Sequence, residues 1–400
     1  MTARSQAGTG RATAPRSLGP TPRLDGLRGL AILAVLGTHV VFLDSGSATW
    51  SLRGGFLGVD VFLGLSAFLI SAVLLREIDQ RRARTGGGAF DGAHFARRRF
   101  RRLYPAMSVL ILVAGVVAIG VLHRDAAERI RSSIPALAFL ANWQRTWGDP
   151  LPFELVHLWS LSLEAQFYAL MALTFFLARR HLDHTRAIVA LLLGAAVVVA
   201  AWRWHLFDSG VAMAELYERT DTRADSMFLG MAAALAWRGR LLGHRSTAVL
   251  GTVAAAGLLV AFALVEVSSE WLYRGGFTVI SVAAALVVMA VATGAGTIAR
   301  GCEWTPLRMV GEISYSLYLW HLPVFVWTVM LLGDGRPLAL KAVVAVPASV
   351  AIAWISYVLF ERSALAPWRR SAAGAAAPHH QRSPGSPLSG TGRGPRRARR

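Results

Sequence analysis

The sequence predicts an all-α integral membrane protein of about ten transmembrane helices with both termini in the cytoplasm. Its composition, its apolar runs and the placement of its arginines predict this. Apolar residues fill 54% of 400 positions and charged residues 16%, with a mean hydropathy of +0.46. A soluble domain carries about 25% charged residues, so this chain lacks the polar surface to sit in water. Apolar runs of about 20 residues, the length that crosses a bilayer core, recur along most of it. They show no period-two alternation, which excludes barrel strands and leaves helices, whose backbone groups pair internally.

The runs place spans at 24–43, 56–75, 103–122, 156–178, 187–206, 224–238, 246–266, 274–298, 313–332 and 338–360. The span at 224–238 is the shortest. A further apolar stretch at 133–143 (SIPALAFLANW) is too short to cross and is expected to lie at the interface or to re-enter.

Orientation follows from the arginines. Residues 1–23 hold Arg4, Arg11, Arg16 and Arg23 and no acid, and the connection 76–102 holds nine arginines against Glu77, Asp79 and Asp91. Connection 123–155 is balanced, 179–186 basic, 207–223 acidic on balance, 238–245 basic, and the chain from 361 onward strongly basic. This alternation matches the positive-inside rule for an even number of spans in a multi-pass protein of the plasma (inner) membrane. The net charge of +19 is accordingly a topology signal and an attraction to anionic membrane lipid rather than a nucleic-acid footprint. The basic start leads straight into a full-length span, so no cleavable signal is expected. Cys302 is the single cysteine, which excludes an intrachain disulfide. The expected organisation is a disordered basic tail over 1–23, one membrane domain over 24–362, and a second disordered basic tail over 363–400 with no soluble domain after the last span. No internal repeat is visible.

An ionisable residue inside a span is costly and marks a functional candidate. In the first span Arg28 lies about 6 Å inside the cytoplasmic end, and His39 is a further 16 Å or so along the axis. Eleven residues at about 100° each put the two on one face; a snorkelling anchor is the plain alternative for Arg28. The second span runs back from the outside and places Asp60 about 6 Å deep, at the depth of His39. There a carboxylate would fix the imidazole tautomer and support a general base, with a structural Asp–His pair as the alternative. No third ligand at metal-site spacing is evident, so no metal is expected.

The fourth span, entered from the outside, carries Glu164 about 12 Å deep with Gln166 and Tyr168 close by; a buried Glu needs a partner or a proton, and the cavity holding His39 could supply one. The ninth places His321 about 12 Å from the inner side, near Tyr315 and Tyr318; interhelical hydrogen bonding is the plain reading for all three. The arginines of FARRRFRRLYPA (Arg97, Arg98, Arg99, Arg101, Arg102) suit phosphate groups, or else serve only orientation. Asp221, Arg223 and Asp225 are expected at the outer edge of the sixth span, where charge costs little.

Taken in order, Arg28-x10-His39 after LDGLRG, GVDVF around Asp60, RRRFRRLYPA, WSLSLEAQFY, TDTRAD and ISYSLYLWH resemble the motif series of the membrane acyltransferase-3 family. Each motif alone is weak; six in order, covering residues 24 to about 362, are specific. The resemblance implies an enzyme that moves an acyl group, usually acetyl, from cytoplasmic acyl-CoA to a hydroxyl of a cell-envelope glycan, a lipid-linked sugar or a glycosylated metabolite. It implies acyl-CoA as a donor substrate and no permanently bound cofactor. By position, Arg28 and His39 match the family's essential pair, Asp60 its GVDVF aspartate and Glu164 its WSLSxE glutamate. Two R-x-x-R readings stand open, Arg98 with Arg101 or Arg99 with Arg102. The usual SGFLI reads SAFLI here, and the last span ends FERSALAP rather than in the more usual Glu-x-Pro form, which weakens the case for a role of Glu361. Some members carry a C-terminal extracytoplasmic esterase-like domain; none is expected from this sequence.

The spacing agrees with that chemistry. Cytoplasmic arginines would hold the nucleotide phosphates, and the pantetheine arm would run outward past Arg28 over a length close to the Arg28–His39 rise of about 16 Å. His39 would then act as general base on the acceptor hydroxyl, or carry the acyl group transiently. A secondary transporter would also bury ionisable residues, but it usually shows an internal repeat and Gly/Pro-broken helices. A non-catalytic scaffold would have no need of Asp60 and His39 at one depth.

Overall fold

The computed structural model describes residues 22–44, 52–85 and 91–363. The tails expected to be disordered fall, at 1–21 and 364–400, outside the described residues. α1 (Pro22–His39) continues as a 3-10 turn to Asp44. α2 (Gly58–Thr85) and α3 (Gly92–Val116) follow, α3 passing into a π-helical turn that ends at Val121. Asp91 caps α3 by accepting the His94 N–H at 2.9 Å, which holds its carboxyl below the usual carboxylate range.

The stretch too short to cross folds as a helical hairpin, α4 (Ala126–Leu137) and α5 (Ala141–Thr146). Gln166 pins its tip, donating to the Phe139 carbonyl at 2.8 Å and to Asn142 Oδ1 at 3.0 Å. Then come α6 (Leu158–Ala178), α7 (Thr185–Asp208), the short α8 (Met213–Glu218), α9 (Thr220–Arg238), α10 (His244–Leu264) and α11 (Phe277–Thr293). α12 (Gly296–Gly301) and α13 (Thr305–Glu312) lead into α14 (Ser314–Leu332) and α15 (Leu338–Ser356), which a π-helical turn extends to Glu361.

Each of the ten predicted spans falls on a helix, except that the one placed at 274–298 stops at Thr293, where Gly294 turns left-handed and ends α11. Among the described residues nine helices are long and apolar enough to cross a membrane. The tenth, α9, is interrupted by Asp221, Arg223 and Asp225, yet its 19 residues rise about 28 Å, close to a bilayer core. It is also among the most buried helices, enclosed by α2, α7 and α11. Large apolar side chains such as Leu191, Val198, Val253 and Val343 point outward, as lipid-facing surfaces do and water-facing ones rarely do.

α2 divides the core. Val59, Leu63, Ile70 and Leu74 pack toward α3, α6 and α14, while Val61, Leu65 and Phe68 pack toward α9 and α11. Small residues permit the closest approaches. A Cβ on Gly26 would stand 2.0 Å from the Cys302 carbonyl oxygen, and one on Gly311 would stand 1.7 Å from that of Asp25, so α1 lies directly against α12 and α13. The alanine of SAFLI, Ala67, is accommodated the same way: a Cβ on Gly230 of α9 would fall 2.7 Å from its methyl.

In a variant lacking Cys302, single cysteines at Asp183 and Leu242 should be shielded from a membrane-impermeant thiol reagent in intact cells, and cysteines at Arg145 and Gly335 should react. Labelling of the first pair from outside would overturn the orientation.

Candidate active site

A cavity of about 740 Å³, counting its open mouth, lies between α1, α2, α3, α6 and α14. Its polar lining is Arg28, Ser66, Arg99, Arg102, Ser160, Glu164, Tyr168, Ser314, Tyr315 and Tyr318. Arg28 donates to Asp25 Oδ1 at 2.8 Å, one turn earlier on α1. Glu164 accepts from Ser66 Oγ at 2.6 Å and from the Tyr168 hydroxyl. The Arg99 guanidinium lies over the rings of Tyr168 and Phe95, 5.5 and 5.7 Å from their centroids, an arrangement that favours a cation. Tyr315 donates to the Leu103 carbonyl at 2.6 Å and ties α14 to α3.

This geometry separates the two R-x-x-R readings. Residues three apart share a helix face, and the face of Arg99 and Arg102 lines the cavity while Arg97, Arg98 and Arg101 are exposed. Arg98 pairs with Glu77. Among the described residues neither Arg99 nor Arg102 forms a salt bridge, so the cavity presents two guanidinium groups free to meet an anion.

His39 belongs to a different cluster, nearer the outer side. Its Nδ1 lies 2.7 Å from His321 Nε2, with the rings stacked 5.0 Å apart. His321 Nδ1 is 2.7 Å from the Tyr318 carbonyl oxygen. A carbonyl only accepts, so His321 Nδ1 carries the proton and, in the neutral ring, its Nε2 is an acceptor. His39 Nδ1 is then the donor, and the lone pair of His39 falls on Nε2. His157 stands against His321 and Tyr318, and its Nε2 is 3.0 Å from the Leu319 carbonyl. The Tyr318 hydroxyl, 2.5 Å from Ser160 Oγ, lies between this cluster and the cavity. Among the described residues no three His, Cys, Asp or Glu side chains converge as metal ligands.

Three expectations are corrected. Asp60 does not pair with His39; fully buried, it accepts from Arg223 Nη2 at 2.6 Å. Depth matched but facing did not, and His321 holds the place at His39 that Asp60 was expected to take. Nor do Arg223 and Asp225 lie where charge costs little, for both are fully buried. Arg223 packs over Phe277 at 3.9 Å, and Asp225 accepts from Arg203 Nη1 at 2.9 Å and from Thr278 Oγ1 at 2.6 Å. Two arginines and two aspartates thus form a neutral set among α2, α7 and α9. Finally, Glu164 finds its partners at Ser66 and Tyr168 beside Arg28, not in a cavity shared with His39.

Sequence reasoning passed over Ser66 and His157, and it gave no partner to Arg203 in α7, a buried arginine that the hydropathy of its span conceals. Glu361 is buried and accepts from Ser316 Oγ at 2.5 Å, so it serves packing of α14 whatever else it does.

The fold and cavity define a multi-pass membrane protein with two guanidinium groups facing an internal cavity and, one side-chain layer away, a histidine cluster. The family model described as an acyltransferase domain matches residues 21–358, and the chain belongs to the membrane acyltransferase-3 family. It is 29% identical over 355 residues to the peptidoglycan O-acetyltransferase OatA of Listeria monocytogenes, covering 85% of this chain and 55% of that one. It is 32% identical to the putative peptidoglycan O-acetyltransferase YrhL of Bacillus subtilis, covering 85% and 54%, and 30% identical to the O-acetyltransferase OatA of Staphylococcus aureus, covering 85% and 56%. The chain spans about half the length of these curated relatives. No solved structure matches it.

Removing one member of a buried ion pair strands the other and costs about 3–5 kcal/mol, whereas removing both costs far less. Asp60→Asn and Arg223→Gln should each lower the thermal midpoint of the detergent-solubilised protein, and the double variant should recover most of the loss. Additive losses would show that the two side chains act independently.

Proposed function

We propose that this protein is a membrane O-acyltransferase that takes an acyl group, in the first instance acetyl, from cytoplasmic acyl-CoA and transfers it to a hydroxyl of a cell-envelope glycan at the outer side. The observation that carries the donor half is the cavity itself: Arg99 and Arg102 face it with no described carboxylate paired to them. Guanidinium groups suit phosphate oxygens in geometry as well as charge. The relatives named as peptidoglycan O-acetyltransferases support a cell-wall glycan as acceptor.

In this reading the nucleotide phosphates rest on Arg99 and Arg102, and the pantetheine arm runs past Arg28 toward Tyr318. Tyr318 closes the cavity on the side of His321, so it turns aside for the thioester to reach His39. The acceptor O–H then gives its proton to His39 Nε2, the oxygen attacks the thioester carbonyl, and the C–S bond breaks. The proton passes from the imidazolium to the departing thiolate. His321 holds His39 in the tautomer that leaves Nε2 open, the part a carboxylate plays in other base dyads. A transient acyl-histidine would form on the same nitrogen.

Two measurements test the reading. Acetyl-CoA binding to the purified protein should weaken at least tenfold in Arg99→Ala/Arg102→Ala and stay near wild type in Arg98→Ala/Arg101→Ala; equal effects would reduce the cluster to a topology signal. Acetyl content of cell-wall glycan, read by mass spectrometry in cells holding equal amounts of inserted protein, should fall by about 10²–10⁴-fold in His39→Ala. His321→Ala should lose most activity too, and the double variant should be little worse than His39→Ala, because groups acting as one unit are not additive. Near-normal transfer by stably inserted His39→Ala would sink the mechanism.

A further inference from the structure

The cavity changes character along its length. The face that α2 turns to it carries Val59, Phe62, Leu63, Ser66, Leu69 and Ile70, at spacings of three and four that keep them on one side of the helix. Ser66 and Glu164, joined at 2.6 Å, mark the middle. Toward the cytoplasm the lining is rich in arginine and tyrosine, and toward the outside it is Val59, Phe62, Leu63 and Leu161. Tyr318 and Ser160, with their hydroxyl oxygens 2.5 Å apart, close the wall at that outer end.

This end has no outlet between α2 and α1. A Cβ on Gly58 would stand 2.5 Å from the Ala31 carbonyl oxygen, and one on Gly55 would stand 2.0 Å from that of Ala34. The two helices therefore touch at the backbone just past Val59. Phosphates and amides need polar partners, which four apolar side chains do not offer. The phosphates and pantetheine arm of the donor thus leave this end unexplained.

We propose that Val59, Phe62, Leu63 and Leu161 form the pocket for the donor's acyl chain, and that Val59 and Leu63 limit that chain to about four carbons. The inference rests on the acyl-CoA reading and adds to it the chain length that the site takes. The register of two helices supplies the measure. Arg98 of α3 pairs with Glu77 of α2, so Arg102, one turn further along α3, stands about level with Val73 on the antiparallel α2. From Val73 to Val59, α2 rises about 21 Å. The pantetheine arm takes up a length close to the Arg28–His39 rise of about 16 Å. About 5 Å remain beyond the thioester, the reach of an extended chain of about four carbons. The chemistry runs in the same order. The amides of the arm pass Ser66 and Glu164, and the acyl carbons beyond them leave water for apolar walls. A longer chain runs into the contact between α2 and α1.

The test is binding of acetyl-, butyryl- and octanoyl-CoA to the purified full chain in nanodiscs, with free CoA as competitor and the thermal midpoint of every variant recorded. Wild type should bind acetyl- and butyryl-CoA within about threefold of each other and octanoyl-CoA at least tenfold more weakly. Leu63→Ala should raise octanoyl-CoA affinity relative to acetyl-CoA at least tenfold. Val59→Ala, the smaller change, should move the same ratio in the same direction, and it decides the matter if Leu63→Ala does not fold. Leu69→Ala, in the cytoplasmic half of the cavity, should leave the ratio unchanged. Octanoyl-CoA bound by wild type as tightly as butyryl-CoA would overturn the pocket. So would an unchanged ratio in the folded Val59 and Leu63 variants, or an equal shift in Leu69→Ala. A wild type that binds no acyl-CoA would overturn the donor reading and the pocket with it, whereas binding without discrimination by length overturns the pocket alone.

Discussion

The ion pair between Asp60 and Arg223 is the constraint on which the arrangement of helices depends. An isolated charge at membrane depth costs several kcal/mol or more, and α9 brings Arg223 and Asp225 to full burial. Alone it could not stay in the bilayer. Inside the bundle it meets Asp60 from α2 and Arg203 from α7, so that two positive and two negative side chains cancel. Each pair fixes one helix against α9, and Thr278 of α11 completes the set through Asp225. α2 is thereby held at the centre, with one face on each of the two cores. Ser66 on the same helix is placed to hold Glu164, and Arg28 on α1 reaches the same cavity.

The two polar regions of the membrane domain follow opposite rules. In the outer half the charges close on one another and leave little unsatisfied beyond Asp60 Oδ2 and some guanidinium nitrogens. Along the cavity Arg28 and Glu164 have partners within the chain, but Arg99 and Arg102, at its cytoplasmic end, lack a described carboxylate. A structural site satisfies its own charge; a binding site keeps some in reserve for a ligand. That contrast separates arginines paired within the fold from arginines left without a described carboxylate, the ones the proposed reading gives to the donor, although the sequence writes them all alike.

Hydropathy read the fold well because every span must satisfy the same bilayer, and a 20-residue apolar run has few other uses. It failed to see that α9, the shortest run, would be among the most enclosed helices, since mean apolarity falls when a helix is enclosed by partners rather than lipid. For the site, depth along a helix was legible: 1.5 Å per residue put Asp60 and His39 at comparable levels. Facing was not. Which neighbour a side chain turns toward depends on helix rotation and on which helices are adjacent, and here α9 and α14 intervene, giving Arg223 to Asp60 and His321 to His39. The i,i+3 spacing of the arginines defined two faces, but only the packing of α3 against α6 and α14 distinguished Arg99 and Arg102 from Arg98 and Arg101.

With His321 rather than Asp60 beside His39, the base of the proposed mechanism has a different partner and different chemistry. A carboxylate next to an imidazole favours imidazolium through its charge, whereas a neutral imidazole offers only a hydrogen bond and a fixed orientation. On the proposed mechanism the His39–His321 dyad orients His39 with Nε2 open to a proton, and it gives the resulting imidazolium less support than a carboxylate would. That suits a base that holds its proton only until a thiolate forms nearby. The backbone carbonyl of Tyr318 sets this arrangement through His321 Nδ1. The same residue's side chain stands between the cavity and the dyad. In the proposed reaction, movement of that one turn of α14 would couple opening of the path to the orientation of His39, so that donor arrival and proton acceptance would depend on a single segment.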